Sequence, residues 1–331
     1  MRLVQLEHRS GQKRAALVDE SFLKPLARFS SVYELVWTSL AERQPLRRFV
    51  LTESCDEPVR YDDVYSGNSD WRLLPPIDHI SDPAHCLISG TGLTHTASAE
   101  KRRAMHQGVS EENDSSRMYR WGLEQGRPGY EEIGVSPEWF YKGNGGILRA
   151  HGESLAVPNF AEDAGEEPEI AGVYLIDMEG RPRRIGMAIG NEFADHQFER
   201  RNYLYLAASK LRQCALGPEL VVDPIFDDVR GRVKIEREGS VLWSAELATG
   251  EKQMCHSLAN IEHHHFKFDE HRRPGDVHIH FYGADAFSFG EGIALEDGDI
   301  VEIAFEGFGR PLRNSIRFQP GEPARIQMLP V

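Results

Sequence analysis

The sequence predicts an α+β protein in two parts. A small N-terminal α+β cap spans residues 1–78, and a larger, β-rich domain spans residues 79–331. Three observations carry this reading. Short apolar runs at residues 3–6 and 15–18 flank the polar turn SGQK, as two paired strands would. Ser31 and Glu34 match a capping box, and Val32, Leu35, Val36 and Leu40 follow at helical spacing. Beyond Pro218 the text alternates as strands do: Val233, Ile235 and Arg237, a turn at Glu238-Gly239, then a return over residues 241–243.

The stretch NSDWRLLPPID, ending at Asp78, reads as a linker. Residues 86–89 form a short buried-type strand, and a glycine turn at 90–92 leads into a candidate helix carrying His95, Ser98, Lys101, Arg102 and Arg103. Residues 108–135 are polar and glycine-rich, which suits either a lid or a plain surface loop. Apolar runs at 170–176 and 185–189 predict a hairpin through Gly180. Lys210 then sits on a predicted helix, ahead of the segment CALGP. The segment from Cys255 to Gly290 holds seven of the fourteen histidines. Three of them, His263, His264 and His265, are consecutive, so on a helix they point three ways and cannot all ligate one ion.

Composition limits the function. With 331 residues, 40% hydrophobic and 27% charged, the chain has an ordinary globular makeup, long enough for about two domains. A net charge of −14 argues against a general nucleic-acid surface. Cys55, Cys86, Cys214 and Cys255 form no CxxC pair and no zinc-like spacing, so reduced thiols and a cytoplasmic location are expected. The opening MRLVQLEHRSG lacks a basic segment followed by an apolar one, so no signal peptide is expected. No apolar run reaches the length of about eighteen residues that a membrane span needs.

The chemistry-bearing pattern lies at the hairpin. Glu167 and Glu169 are two apart, so on an extended strand they face one side. The return strand delivers Glu192 to the same end. Three hard oxygen donors, with no thiol or imidazole among them, suit Mg²⁺ or Mn²⁺ better than zinc or copper. The plain alternative is a pair of solvated surface glutamates.

The order EPEI, GNE, FERRNYLYLAASK and CALGP resembles the fumarylacetoacetate hydrolase superfamily, and within it the 2-keto-3-deoxy sugar acid dehydratases. The resemblance continues through Pro137, Phe140 and Lys142, through Pro274-Gly275-Asp276, and through Gly298-Asp299 to Leu312-Arg313-Asn314. It implies a mixed β-roll catalytic domain, a homodimer, and a divalent metal on Glu167, Glu169 and Glu192. The third ligand is normally Asp in that superfamily, which leaves Asp195 as an alternative to Glu192. Lys210 is implied in proton transfer and His95 in catalysis. Ser98 and Arg102 fall where the dehydratases place a substrate-facing Ser and Arg, and an Arg fork suits a substrate carboxylate. A substrate-contacting Thr is replaced by Ala284, with Asp285 or Ser288 as stand-ins.

The implied reaction is loss of water from a 2-keto-3-deoxypentonate through a metal-stabilised enolate, giving 2-oxoglutarate semialdehyde. Two other readings stay open. A hydrolase would cleave the C–C bond of a 2,4-diketo acid (an acylpyruvate), with His95 as base. The residue three beyond His95 is Ser98, where hydrolases of the family tend to have Glu, and this favours dehydration. A non-catalytic binding relative is the third reading.

Overall fold

The computed structural model describes residues 1–96 and 114–331. Its centre is the predicted hairpin. Strand Pro168–Ile176 pairs antiparallel with strand Pro182–Asn191, in a register that sets Glu169 opposite Gly190 and Pro168 opposite Asn191. Every residue of Pro168–Ile176 is buried, as its continuous apolar text requires of a strand covered on both faces.

The two faces meet different partners, and the period-two alternation sorts the side chains between them. Ile170 and Ile189 face a cluster with Val233, Ile235, Val301 and Ile303. Those four belong to a separate five-stranded sheet built on Val229–Arg237, Ser240–Thr249, Ile300–Phe305, Leu312–Phe318 and Leu155–Val157. Ala171, Val173 and Leu175 face the opposite way and pack with Leu35, Val36 and Phe49 of the N-terminal segment.

The expected strands at 3–6 and 15–18 are Arg2–His8 and Lys13–Asp19, paired antiparallel. Helix Val32–Ala41 is capped by Ser31, whose hydroxyl accepts the Glu34 N–H at 3.0 Å. The Glu34 carboxylate takes the N–H and hydroxyl of Ser30, one residue earlier than a capping box would have it. Strand Arg2–His8 also pairs with Leu220–Val221, so the N-terminal strands continue the main sheet.

On the other side of the hairpin, Val277–Phe281 pairs with Pro168–Ile176, and Cys86–Gly90 lies parallel to it. Helix Leu258–Phe266 precedes that strand, with His263 exposed, His264 half-buried and His265 buried. Helix Asp114–Gln125 and the residues after it are pinned to this region. The Val135 N–H bonds the Gln125 carbonyl, and the Gly134 N–H bonds Asn260. No helix among the described residues is long and apolar enough to cross a membrane.

Candidate metal centre

The hairpin register brings the three predicted carboxylates together. The ladder runs one pair past the strands, with the Glu192 N–H bonding the Glu167 carbonyl at 3.0 Å. Asn191 turns its amide oxygen back to the Glu167 N–H at 3.1 Å. Glu167, Glu169 and Glu192 each offer one oxygen within 4.8 Å of the others, and all three are buried. Among the described residues no other group of three His, Cys, Asp or Glu side chains is so placed. The longer Glu192 arm therefore reaches the site.

Asp195 does not join them. One of its oxygens caps helix His196–Arg201 through the Phe198 N–H, and the other takes Arg212 at 3.1 Å and the Glu162 N–H at 3.0 Å. Its capacity goes to that corner, which removes it as an alternative ligand.

Two lysines serve the triad. Lys210 directly follows the short helix Leu206–Ser209. Its Nζ bonds Glu167 Oε1, and lies 2.5 Å from Glu192 Oε2. It stands 4.9 Å from the centre of the Phe140 ring. Lys142 is likewise buried. Its Nζ lies 2.6 Å from Glu192 Oε1, and donates to the carbonyls of Phe193 at 2.6 Å and Lys210 at 3.0 Å. Glu169 takes the Gly283 N–H at 2.7 Å. Gly283 has φ of 98°, and a Cβ there would collide with the Thr94 hydroxyl, so only glycine presents its N–H in this way.

Burial pushes all three carboxyls up. At Glu167 the Lys210 ammonium and the His196 ring outweigh burial and hold the group well below its ordinary range. At Glu169 burial is reinforced by Glu192 and Glu167, and the carboxyl lies well above it. Glu192 is carried up to about 7 by burial and by Glu167, against the pull of Lys142 and Lys210. Fully ionised, three carboxylates and two ammonium groups leave one net negative charge. A divalent cation would relieve the crowding. The donor set fits Mg²⁺ or Mn²⁺.

No protein-family model matches the sequence, and no curated protein matches it. Solved structures do. An apo 2-keto-3-deoxy-D-arabinonate dehydratase aligns over 97% of this chain and 100% of its own, with a TM-score of 0.72 and 21% identity. The chain has the fold of the fumarylacetoacetate hydrolase superfamily. A 2-keto-3-deoxy-D-arabinonate dehydratase complexed with magnesium and 2,5-dioxopentanoate gives the same coverage, TM-score and identity. A 5-carboxymethyl-2-hydroxymuconate delta-isomerase from Mycobacterium smegmatis aligns over 96% of this chain and 100% of its own, with a TM-score of 0.57 and 18% identity.

Within that fold, two members of the triad, Glu167 and Glu169, open on a cleft. Glu167, Glu169, His196 and Glu199 are its polar lining residues, and Leu93, Phe140 and Phe287 its apolar ones. Ala284 lines it too, with no hydroxyl to offer. Three of the other predicted site residues, His95, Ser288 and Asp285, are placed elsewhere. His95 is buried and does not line the cleft. Its ring nitrogens bond the hydroxyls of Thr94 at 2.8 Å and Thr249 at 3.0 Å, and burial lowers it to about 4. Ser288 gives its N–H and hydroxyl to Glu166, at 2.6 and 2.8 Å. Asp285 accepts the Ala248 N–H at 2.9 Å, which ties it to the second sheet. Both serve to fix the loop after Phe281. Ser98 and Arg102 lie outside the described residues, as does part of the expected lid, and residues 114–135 do not line the cleft.

Two cleft residues escaped sequence reasoning. His196 and Glu199 are three apart on helix His196–Arg201 and so share a face. His196 Nε2 lies 3.0 Å from Glu167 Oε1. Burial lowers this histidine, but the hydrogen bond and charge of Glu167 raise it more. The available signal was the run D-H-x-x-E, an N-cap aspartate followed at once by histidine and, one turn later, an acid.

Proposed function

We propose that this protein is a metal-dependent hydro-lyase acting on a 2-keto-3-deoxy sugar acid, a pentonate, and yielding 2-oxoglutarate semialdehyde. The observation that carries this is the Lys210 ammonium lodged between Glu167 and Glu192 inside a buried triad of carboxylates. It supports a proton-moving group placed beside a cation site. A structural neighbour holds magnesium and 2,5-dioxopentanoate, and that compound is 2-oxoglutarate semialdehyde under another name.

Glu167, Glu169 and Glu192 would hold the ion. Bound there, Mg²⁺ would draw electron density from the 2-keto group of the substrate and make its C3 protons acidic. Lys210 Nζ, as the free amine once a bound cation takes over its charge and its proton passes to solvent, is the group we assign to moving the C3 proton. C4 loses its hydroxyl, which leaves as water with that proton. A proton then shifts from C5 to C3, leaving an enol across C4 and C5, and the enol's hydroxyl proton moves to C4, so that C5 becomes the aldehyde. Lys142 holds the Lys210 carbonyl and the Glu192 carboxylate in place. Phe140 and Phe287 line the cleft and limit water there.

Cleavage of a 2,4-diketo acid needs a base that activates water. His95, the base named for that reaction, sits outside the cleft between two threonine hydroxyls, which weighs against that version of the hydrolysis. The test offers 2-keto-3-deoxypentonates and 2,4-diketo acids separately with Mg²⁺, and follows products by mass spectrometry. Loss of water that vanishes with EDTA and in Glu169→Gln is the expected result. Cleavage of a diketo acid would replace this reading with the hydrolase.

A further inference from the structure

We infer that His196 is a positioning residue for the metal centre: it pins Glu167 by Oε1 and so leaves Oε2 to face the cation. The inference rests on the metal-dependent reading above, and it concerns a residue that reading does not use.

Two donors converge on one oxygen. Lys210 Nζ and His196 Nε2 both bond Glu167 Oε1, and among the described residues no hydrogen bond is made to Oε2. Their roles differ once the reaction begins. Lys210 has to leave Glu167 to reach a C3 proton, and its long, flexible stem allows that. The His196 ring has no such freedom. It lies against Phe287, with ring centres 4.9 Å apart, and against Phe289, 5.1 Å apart. Asp195 fixes the first turn of the helix that carries it. On its far side a Cβ at residue 165 would collide with His196 Nδ1, so Gly165 leaves room for the ring and nothing more.

His196 Nδ1 is buried without a hydrogen-bond partner among the described residues. Packing therefore holds the ring, and its one directed bond goes to Glu167. The proton on Nε2 is assigned from that bond. A carboxylate anchored at one oxygen by a rigid donor keeps the other aimed at the ion, which is how outer hydrogen bonds sharpen a metal site.

The test uses the full chain stripped of metal and titrated with Mn²⁺, followed by calorimetry and by the Mn²⁺ electron paramagnetic resonance signal. His196→Phe keeps an aromatic ring beside Phe287 and Phe289 but removes the donor. Its Mn²⁺ affinity should fall about 10- to 100-fold, while His196→Gln, which restores an N–H, recovers most of the loss. Gly165→Ala should weaken Mn²⁺ in the same direction by pushing the ring off Glu167, and it decides the matter if His196→Phe does not fold. A folded His196→Phe or Gly165→Ala that binds Mn²⁺ like the wild type overturns the inference. Equal losses in the Phe and Gln variants also overturn it. A wild-type chain that binds no Mn²⁺ rejects the metal reading itself, a distinguishable result.

Discussion

At Lys210 one side chain has two tasks that pull apart. Its ammonium bonds Glu167 and Glu192 and so offsets part of the charge in the triad. The proposed chemistry asks the same nitrogen to carry a proton to and from C3. Lys210→Met preserves the length and the contact with Phe140 but removes both tasks. The carboxylates that would hold the ion remain, so Mn²⁺ should bind the variant nearly as well as the wild type, as measured by calorimetry. Turnover should fall by about 100- to 10,000-fold, the usual worth of a positioned acid or base. A variant that binds metal and still turns over would take Lys210 out of the mechanism. The sequence could suggest this residue, because a lysine at that distance from an E-x-E pair fits a known pattern. It could not show that the ammonium sits between two ligands, which follows from the tertiary return of the chain after helix His196–Arg201.

Elements were legible where spacing alone determines geometry. Two glutamates at i and i+2 share a side of a strand, and a hairpin turn delivers Glu192 opposite, so the triad could be drawn from the text. Contacts between elements were not legible. Ser288 and Asp285 are polar residues at the expected place, yet their partners, Glu166 and Ala248, come from distant segments and use them as loop anchors. His95 was drawn by a pattern of residue types, and its threonine partner Thr249 is 154 residues away. Lys142 matched a motif without a role, and the structure gives it one. It joins strand Phe140–Asn144 to the end of the hairpin, through the Phe193 carbonyl, and to the Lys210 turn. Lys142→Met would leave two carbonyls and one oxygen of the buried Glu192 without that donor. Breaking a buried ion pair from one side costs about 3–5 kcal/mol. Urea unfolding should register a loss of that size, and a change of less than about 0.5 kcal/mol, within the range of ordinary surface substitutions, would mean that the junction is held by other contacts.

Mild acid should weaken the whole molecule, because the fold keeps many histidines neutral. Burial lowers His95, His151 and His256 to about 4 and His278 and His280 to about 3, and holds His265 well below its ordinary value. It lowers His79 and His264 as well. Four of the chain's histidines, His265, His271, His278 and His280, meet around strand Val277–Phe281, with His265 Nε2 3.0 Å from His278 Nδ1. The folded values of the lowered group lie below the unfolded value near 6.5, so the unfolded chain takes up these protons first. Their contribution is complete above about pH 6.5 and is lost as pH falls from there toward 4. Asp163, Glu166, Glu169, Glu192, Glu262 and His196 have raised values and act in the opposite sense, gaining stability as pH falls. Eight lowered histidines against these six raised groups leave net proton uptake on unfolding. In EDTA, the urea midpoint should therefore drop between pH 6.5 and pH 5. His278→Leu removes one member, whose Nε2 has no hydrogen-bond partner among the described residues and whose Nδ1 gives up only its bond to His265 Nε2. Each neutral histidine adds a slope of about 1.4 kcal/mol per pH unit. The Leu variant should flatten the pH dependence by up to that amount, with the midpoint at pH 7 changed far less than at pH 5. Parallel curves for variant and wild type would show that His278 is protonated in the folded chain, and that the cluster on this strand tolerates charge.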